Sequence, residues 1–276
     1  MVLQDAQNIN NLSGNIQSNN IQVIVVCDDF GESERMENAL FQCLSYKVDF
    51  YNYPDFYELL TGKIPIEAID QNWFLENIKE GQKNYYNFAK RLIDNVFATL
   101  ILIGTIPFWA LISTAIKLTS KGPVFFRQVR LGKNEKAYNM IKFRTMRIQN
   151  NDGAPTEKND YRITRFGKFL RRSRIDEIPQ VLNVLMGDMS FIGPRPERPE
   201  IILELERHIP FYKTRLLIKP GLTGWDQISG SYHSPSVKDT MEKLQHDLFY
   251  LKHRSLYFDL SIALKTIATM LFHEGR

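Results

Sequence analysis

The first twenty positions are almost entirely polar, six of them asparagine, and with so few apolar anchors they predict a disordered tail over 1–20. The pattern then changes. The apolar run IQVIVVC at 21–27 reads as a buried strand, and 34–44 carries helical spacing. Residues 47–53 read as a second strand, and Pro54 opens a short helix to Leu60. These elements make a small α/β appendage over 21–80. No GxGxxG turn joins its first strand to its first helix, so dinucleotide binding is not supported.

Phe97 to Leu118 (FATLILIGTIPFWALISTAIKL) is apolar on all sides, 22 residues with Lys117 as the only charge, which is long enough to cross a bilayer. Pro107 stands at its centre, where it removes a backbone donor and crowds the preceding turn. The residues alone admit a kinked spanning helix or a re-entrant hairpin of two half-helices, each about 15 Å long. Lys90 and Arg91 precede the segment and Lys117, Lys121, Arg127 and Arg130 follow it, so both ends look cytoplasmic, as a re-entrant path requires. Starting almost a hundred residues into the chain, it is expected to be a permanent anchor rather than a cleaved leader.

Beyond it, 122–130 and 136–144 flank Gly132-Lys-Asn-Glu135, the pattern of a β-hairpin whose second strand carries Lys142 and Arg144. Residues 151–160 read as a polar loop, and 163–174 as a basic helix ending beside Asp176. Helices are also predicted over 199–208 and 241–252, and a long apolar one over 255–272. Asp259 and Lys265 inside that last helix predict packing on the core or at the membrane surface rather than a span.

Composition and charge narrow the function classes. Cys27 and Cys43 lack CxxC spacing, so neither a disulfide framework nor a zinc site is indicated and a reducing, cytoplasmic setting fits. Net charge is only +4, yet Arg162, Arg165, Lys168, Arg171, Arg172 and Arg174 fall within 13 residues containing no acid. That field calls for an anionic partner. No zinc finger, RNA-recognition signature or basic zipper accompanies it, so nucleic acid is not the expected one.

The acids that follow suggest phosphoryl chemistry, which needs an in-line nucleophile, cations around the phosphate oxygens and usually a divalent metal. Either Asp176 or Glu177 can act as a carboxylate nucleophile while its neighbour moves a proton or helps hold Mg2+. Arg195, fixed between Pro194 and Pro196, offers a planar fork to a phosphate with little freedom to lose. Plainer roles exist for each: a helix cap for Asp176, a salt bridge for Glu177 and a loop closure for Arg195. The five histidines show no ligand spacing.

Six ordered stretches then carry a family resemblance: LTSKGPVFFRQ (118–128), KFRTM (142–146), RIDEIPQ (174–180), GDMSFIGPRP (187–196), PGLTGW (220–225) and DLFY (247–250). Over roughly 85–276 the chain resembles the bacterial sugar transferases, also called monotopic phosphoglycosyl transferases or polyprenyl glycosylphosphotransferases. The resemblance implies transfer of a hexose 1-phosphate from a UDP-sugar to polyprenyl (undecaprenyl) phosphate, releasing UMP and initiating exopolysaccharide or related glycan synthesis. It implies Asp176 as nucleophile, forming a covalent phosphosugar and contacting Mg2+, and Glu177 as helper in proton transfer from the lipid phosphate. Arg195 and Pro196 of the Pro-Arg-Pro motif are placed at the nucleotide phosphates and Lys142 at the diphosphate, with Arg144 and Arg174 of the matched motifs also expected to bind substrate. A re-entrant helix broken at Pro107 is implied too, although Ile106 stands where small members often have serine.

The fold expected is therefore α+β: a mainly helical, membrane-associated catalytic domain over 85–276, with the β-hairpin and a re-entrant segment at 97–118, after a small truncated α/β unit. YELLTGKIP (57–65) and WFLE (73–76) in that unit resemble the end of the α/β domain of large members, whose four N-terminal spanning helices are expected to be absent. The implied location is the bacterial inner membrane with the catalytic domain on the cytoplasmic face. A second copy of the chain and other glycan-assembly enzymes are the protein partners considered. The alternative function is a catalytically silent, membrane-bound UDP-sugar-binding or scaffold protein. Asp226 stands where relatives usually carry a small apolar residue.

Overall fold

The computed structural model describes residues 12–27, 34–147, 160–229 and 236–271. Packing divides the chain into two compact units, Met1–Glu76 and Asn77–Arg276. In the first, α1 (Leu12–Asn19), β1 (Val23–Val26), α2 (Glu34–Gln42), β2 (Asp49–Asn52), α3 (Tyr53–Thr61) and α4 (Gln71–Asn77, running to the boundary) follow in order. β1 and β2 pair in parallel with Val23 opposite Asp49. α3 starts under an Asn52 cap with Pro54 in its first turn and stops at Gly62, whose φ of 64° is the left-handed conformation glycine accepts freely.

Part of the stretch expected to be disordered is helical. Ile16 on α1 is buried against Cys43 and Val48, and Leu12, one turn earlier, packs beside it. Two apolar positions at helical spacing, with Ile21 just beyond the helix packing on the same cluster, are enough to order a short helix when a neighbouring core accepts them. Residues 1–11 lie outside the described residues.

The second unit begins with α5 (Asn84–Thr119), followed by the antiparallel hairpin β3 (Phe125–Leu131) and β4 (Ala137–Phe143). Next come α6 (Arg165–Arg172), a 3-10 turn over Ile175–Gln180, α7 (Val181–Met186), β5 (Ser190–Ile192) and α8 (Pro199–Leu205). A second 3-10 turn (Tyr212–Leu217), β6 (Gly221–Thr223), α9 (Trp225–Ser229), α10 (Val237–His253) and α11 (Leu256–Leu271) complete it. β5 and β6 pair in parallel, Ser190 opposite Gly221. The unit is mostly helical with two small sheets, so the α+β expectation and the predicted hairpin are both met, while the predicted loop over 151–159 lies outside the described residues.

α5 is one helix of 36 residues with Pro107 inside it, so the two half-helices expected on either side of this proline are not separated in the backbone. Side chains support the turn that proline weakens: Thr105 Oγ1 donates to the Ile101 carbonyl at 2.7 Å and accepts from Trp109 Nε1 at 3.2 Å. Hydroxyl groups of this kind are how apolar helices tolerate proline. One face of α5 packs along the unit. Ala98, Ile101 and Leu102 meet Tyr138, Met140, Val184 and Met189, while Trp109, Ile112 and Ile116 meet Phe143 and Leu170. The opposite face leaves Phe97, Leu100, Ile103, Phe108 and Leu111 more than half exposed. This helix is long and apolar enough to cross a membrane, and an exposed apolar stripe of such length fits contact with lipid. α11 turns Ile262 and Asp259 inward and Tyr257, Leu260 and Leu264 outward, so it packs on the unit as its internal charges predict.

Candidate active site

β4 supplies the first site residue. Tyr138 and Met140 point into the core under α5 and α7, and Lys142, two residues further on, shares their face of the strand. The acids come from the end of α6. Thr164 caps that helix by accepting from the Gly167 amide at 2.9 Å, and Gly167 lies so close to the Thr145 carbonyl that no side chain fits between them. After Arg172 the chain turns through Arg174, whose φ of 55° is unusual for a non-glycine residue, and enters the 3-10 turn carrying Asp176 and Glu177. Buried Gln180 and Pro179 fix the far end of the turn.

Glu177 gathers the cations. Its Oε1 lies 2.6 Å from Lys142 Nζ and 3.8 Å from Arg195, and its Oε2 is 3.9 Å from Arg174. Burial pushes the Glu177 carboxyl up, but Lys142, Arg195 and Arg174 outweigh it and hold the group below the usual carboxylate range. Asp176 behaves oppositely. Burial first, and the adjacent Glu177 charge second, raise its carboxyl to about 6 against the pull of Lys142 and Arg171. Two neighbouring carboxylates thus acquire different proton affinities, the usual sign of divided roles. Lys142 itself is lowered by burial and partly restored by Glu177.

A small open cleft is lined by Lys142, Glu177, Gln180, Arg195, Pro196 and Leu222 among others, and Asp176 is not one of its lining residues. Lys142, Arg174 and Arg195 thus gather on Glu177, while Asp176, next to it in the chain, feels the charges of Glu177, Lys142 and Arg171. Arg144 is not among them. β4 ends at Phe143, and the Arg144 guanidinium turns away to donate 2.8 Å to the carbonyl of Ser120, the residue that caps α5. Two residues named in the sequence only as part of basic runs were not assigned to the site. Arg171, whose charge acts on Asp176, is anchored by its Nε to Thr145 Oγ1 at 2.8 Å, and Arg130 lines the cleft from β3. No helical spacing marks the Arg171–Asp176 pair, because α6 ends at Arg172 and Asp176 follows in a separate 3-10 turn. Asp226 is also explained: it is buried 3.7 Å from His246 Nδ1 and within the field of Arg215.

Among the described residues no three His, Cys, Asp or Glu side chains gather as a metal cage. With Glu177 held by Lys142, the donor set is the Asp176 carboxylate. That fits Mg2+, which is commonly held by one or two protein carboxylates and completed by substrate phosphates and water.

Residues 85–273 match the bacterial sugar transferase family. A UDP-glucose:undecaprenyl-phosphate glucose-1-phosphate transferase of Xanthomonas campestris pv. campestris is 35% identical over 263 residues, 93% of this chain and 54% of that protein. A UDP-N-acetylgalactosamine-undecaprenyl-phosphate N-acetylgalactosaminephosphotransferase of Aeromonas hydrophila is 38% identical over 248 residues, 89% of this chain and 57% of that protein. An exopolysaccharide production protein of Rhizobium leguminosarum bv. phaseoli, PSS, is 38% identical over 190 residues, 66% of this chain and 94% of that protein. The chain spans a little over half the length of the first two relatives. The family match, the relatives and the assembled motif residues agree: this chain belongs to the bacterial sugar transferases.

Proposed function

We propose that this chain transfers a hexose 1-phosphate from a UDP-sugar to undecaprenyl phosphate and releases UMP, the opening step of exopolysaccharide or related glycan assembly. The relatives act on UDP-glucose or UDP-N-acetylgalactosamine, and undecaprenyl phosphate is the acceptor their names give. The single observation that carries the reading is the Lys142–Glu177–Arg195 cluster beside a carboxylate, Asp176, whose proton affinity is raised to about 6.

Asp176 is the nucleophile. At pH 7 a carboxyl of that affinity is roughly nine-tenths ionised while remaining more basic than an ordinary aspartate. Its oxygen bonds to the sugar-bearing phosphorus, and the bond from that phosphorus to the bridging oxygen breaks, so UMP leaves with the electron pair. Arg195 and Lys142 neutralise the diphosphate and the departing nucleotide phosphate, and Arg174 adds charge from the rim. Mg2+, when bound, supplies further neutralisation of the diphosphate, with Asp176 as its protein ligand. In the second half-reaction an oxygen of the lipid phosphate attacks the same phosphorus and Asp176 leaves as carboxylate.

Glu177 is a weak proton acceptor while Lys142 holds it at 2.6 Å. When the phosphate of the covalent phosphosugar and the incoming lipid phosphate draw Lys142 and Arg195 toward themselves, the Glu177 carboxyl loses its strongest cations and regains affinity for the proton of the lipid phosphate. Substrate binding thereby switches this base on.

α5, with basic residues at both ends and an exposed apolar face, anchors the enzyme in the inner membrane, its re-entrant path made by a bend of the continuous helix at Pro107, with the catalytic unit in the cytoplasm where UDP-sugars are found. The test is UMP release by purified protein supplied with Mg2+, undecaprenyl phosphate and a panel of UDP-sugars. Sustained release, beyond one UMP per chain, that requires the lipid, one sugar and Asp176 supports the reading. Binding of a UDP-sugar by folded protein without UMP release favours a silent binding or scaffold protein instead.

A further inference from the structure

The backbone carrying Arg195 is held at every carbonyl from Pro194 to Glu197, and two of the four partners are arginines, the buried Arg215 and the partly buried Arg130. The Pro194 carbonyl accepts from the Gly221 amide at 2.9 Å, and the Glu197 carbonyl accepts from the Leu131 amide at 3.2 Å. Between them, the Arg195 carbonyl accepts from Arg215 Nη2 at 2.9 Å, and the Pro196 carbonyl accepts from Arg130 Nη1 at 3.1 Å. The side chain of Arg195, by contrast, remains 42% exposed and faces Glu177. A fixed backbone under a solvent-facing guanidinium is a preorganised cation.

Arg215 is the more telling of the two. It is 2% exposed, and its Nη1 donates to Tyr212 Oη at 2.9 Å while Asp247 on α10 sits 2.7 Å from Nη2. Burial opposes the Arg215 charge, but Asp247, Tyr212 and Glu197 overcome that and hold it protonated. A buried ion pair is a poor device for stability, because desolvating both charges offsets most of their attraction and apolar replacements of equal size are often as stable. What an apolar pair cannot supply is a donor to the Arg195 carbonyl. Lysine cannot substitute either, since the planar fork meets Tyr212 and the Arg195 carbonyl in two directions at once.

We propose that Arg215, set by Asp247, is a positioning residue for the donor half-reaction: it aims Arg195 at the UDP diphosphate by fixing its backbone carbonyl. This rests on the assignment of Arg195 to the diphosphate in the proposed function. A double-displacement reaction makes it testable, because kcat/KM for the UDP-sugar reports only formation of the phosphosugar enzyme and kcat/KM for the lipid reports only its breakdown. A misplacement of Arg195 by an ångström acts on the first and not the second.

The experiment measures both constants, with thermal unfolding, for Arg215→Lys, Arg195→Ala, their combination and the paired variant Arg215→Met/Asp247→Leu. Arg215→Lys is expected to lower kcat/KM for the UDP-sugar by about 100-fold and to leave that for the lipid within about twofold. In the Arg195→Ala background it adds less than about twofold, since there is no longer a guanidinium to aim. The paired variant unfolds no lower than the parent yet retains the donor defect. Equal losses in both half-reactions, an additive loss in the Arg195→Ala background, or an unchanged donor constant in Arg215→Lys each overturn the positioning role. If Arg195→Ala alone leaves the donor constant intact, the assignment of Arg195 falls and the positioning role with it. A parent protein that never turns over refutes the proposed function itself.

Discussion

Replacing Lys142 with methionine separates the stabilising and catalytic uses of one ion pair. Lys142 and Glu177 touch at 2.6 Å with side chains 18% and 17% exposed, so neither charge is well solvated. Removing one partner of such a pair costs about 3–5 kcal/mol when nothing else compensates. Here Arg195 at 3.8 Å and Arg174 at 3.9 Å still face the abandoned carboxylate, though both are partly solvated, which reduces the cost to about 2–3 kcal/mol. For a unit of this size that corresponds to a fall in Tm of about 4–12 °C. Differential scanning fluorimetry in detergent reads it directly. Adding Glu177→Gln removes the stranded charge and should return most of the lost Tm, while UMP release stays depressed because the diphosphate still lacks its lysine. A single variant that melts with the parent would show that the pair is not coupled, and recovery of turnover in the double variant would show that Lys142 does not serve the phosphates.

Three further outcomes follow from the same geometry. With Asp176 at about 6, kcat/KM for the UDP-sugar should fall about tenfold per pH unit on the acid side of that value, and a flat profile down to pH 5 contradicts the nucleophile assignment. Because that value lies above the 3.8 of an ordinary aspartate, the folded chain binds the proton that the unfolded chain has already released, so stability declines as pH rises through this window. Asp176→Asn should accordingly be inactive yet more stable than the parent at pH 8, by up to about 3 kcal/mol, with the advantage vanishing near pH 4, as Tm measured against pH will show. Ile103→Asp and Leu111→Asp lie on the exposed face of α5 and together should shift the chain out of the membrane pellet on sedimentation, each adding about 2.5–3.5 kcal/mol to the cost of burial in lipid.

The sequence was most legible where local rules decide structure. The alternation around Gly132-Lys-Asn-Glu135 gave the hairpin, and the apolar spacing of 163–174 gave α6 and the arrival of the chain at Asp176. Arg144 was expected on the second hairpin strand with Lys142, yet β4 stops at Phe143 and the Arg144 guanidinium donates to the Ser120 carbonyl. Pro107 was expected to break α5, but the usual proline penalty omits Thr105, whose hydroxyl ties Ile101 to Trp109 across the weakened turn. α1 was hidden because Leu12 and Ile16 anchor a stretch that is otherwise polar and need a core from elsewhere in the chain. Arg130 and Arg215 were beyond reach for a different reason. Each meets the Pro-Arg-Pro loop across 66 or 20 residues of chain, and no local pattern marks such a contact.

Covalent catalysis at Asp176 is tested most directly by giving the protein a UDP-sugar and Mg2+ without any lipid acceptor. The account predicts release of one UMP per chain, then no more, and a peptide containing Asp176 heavier by one hexose phosphate, which undecaprenyl phosphate removes on addition. UMP released only when lipid is present, with no adduct at any stage, or an adduct carried by Glu177 in place of Asp176, would contradict it.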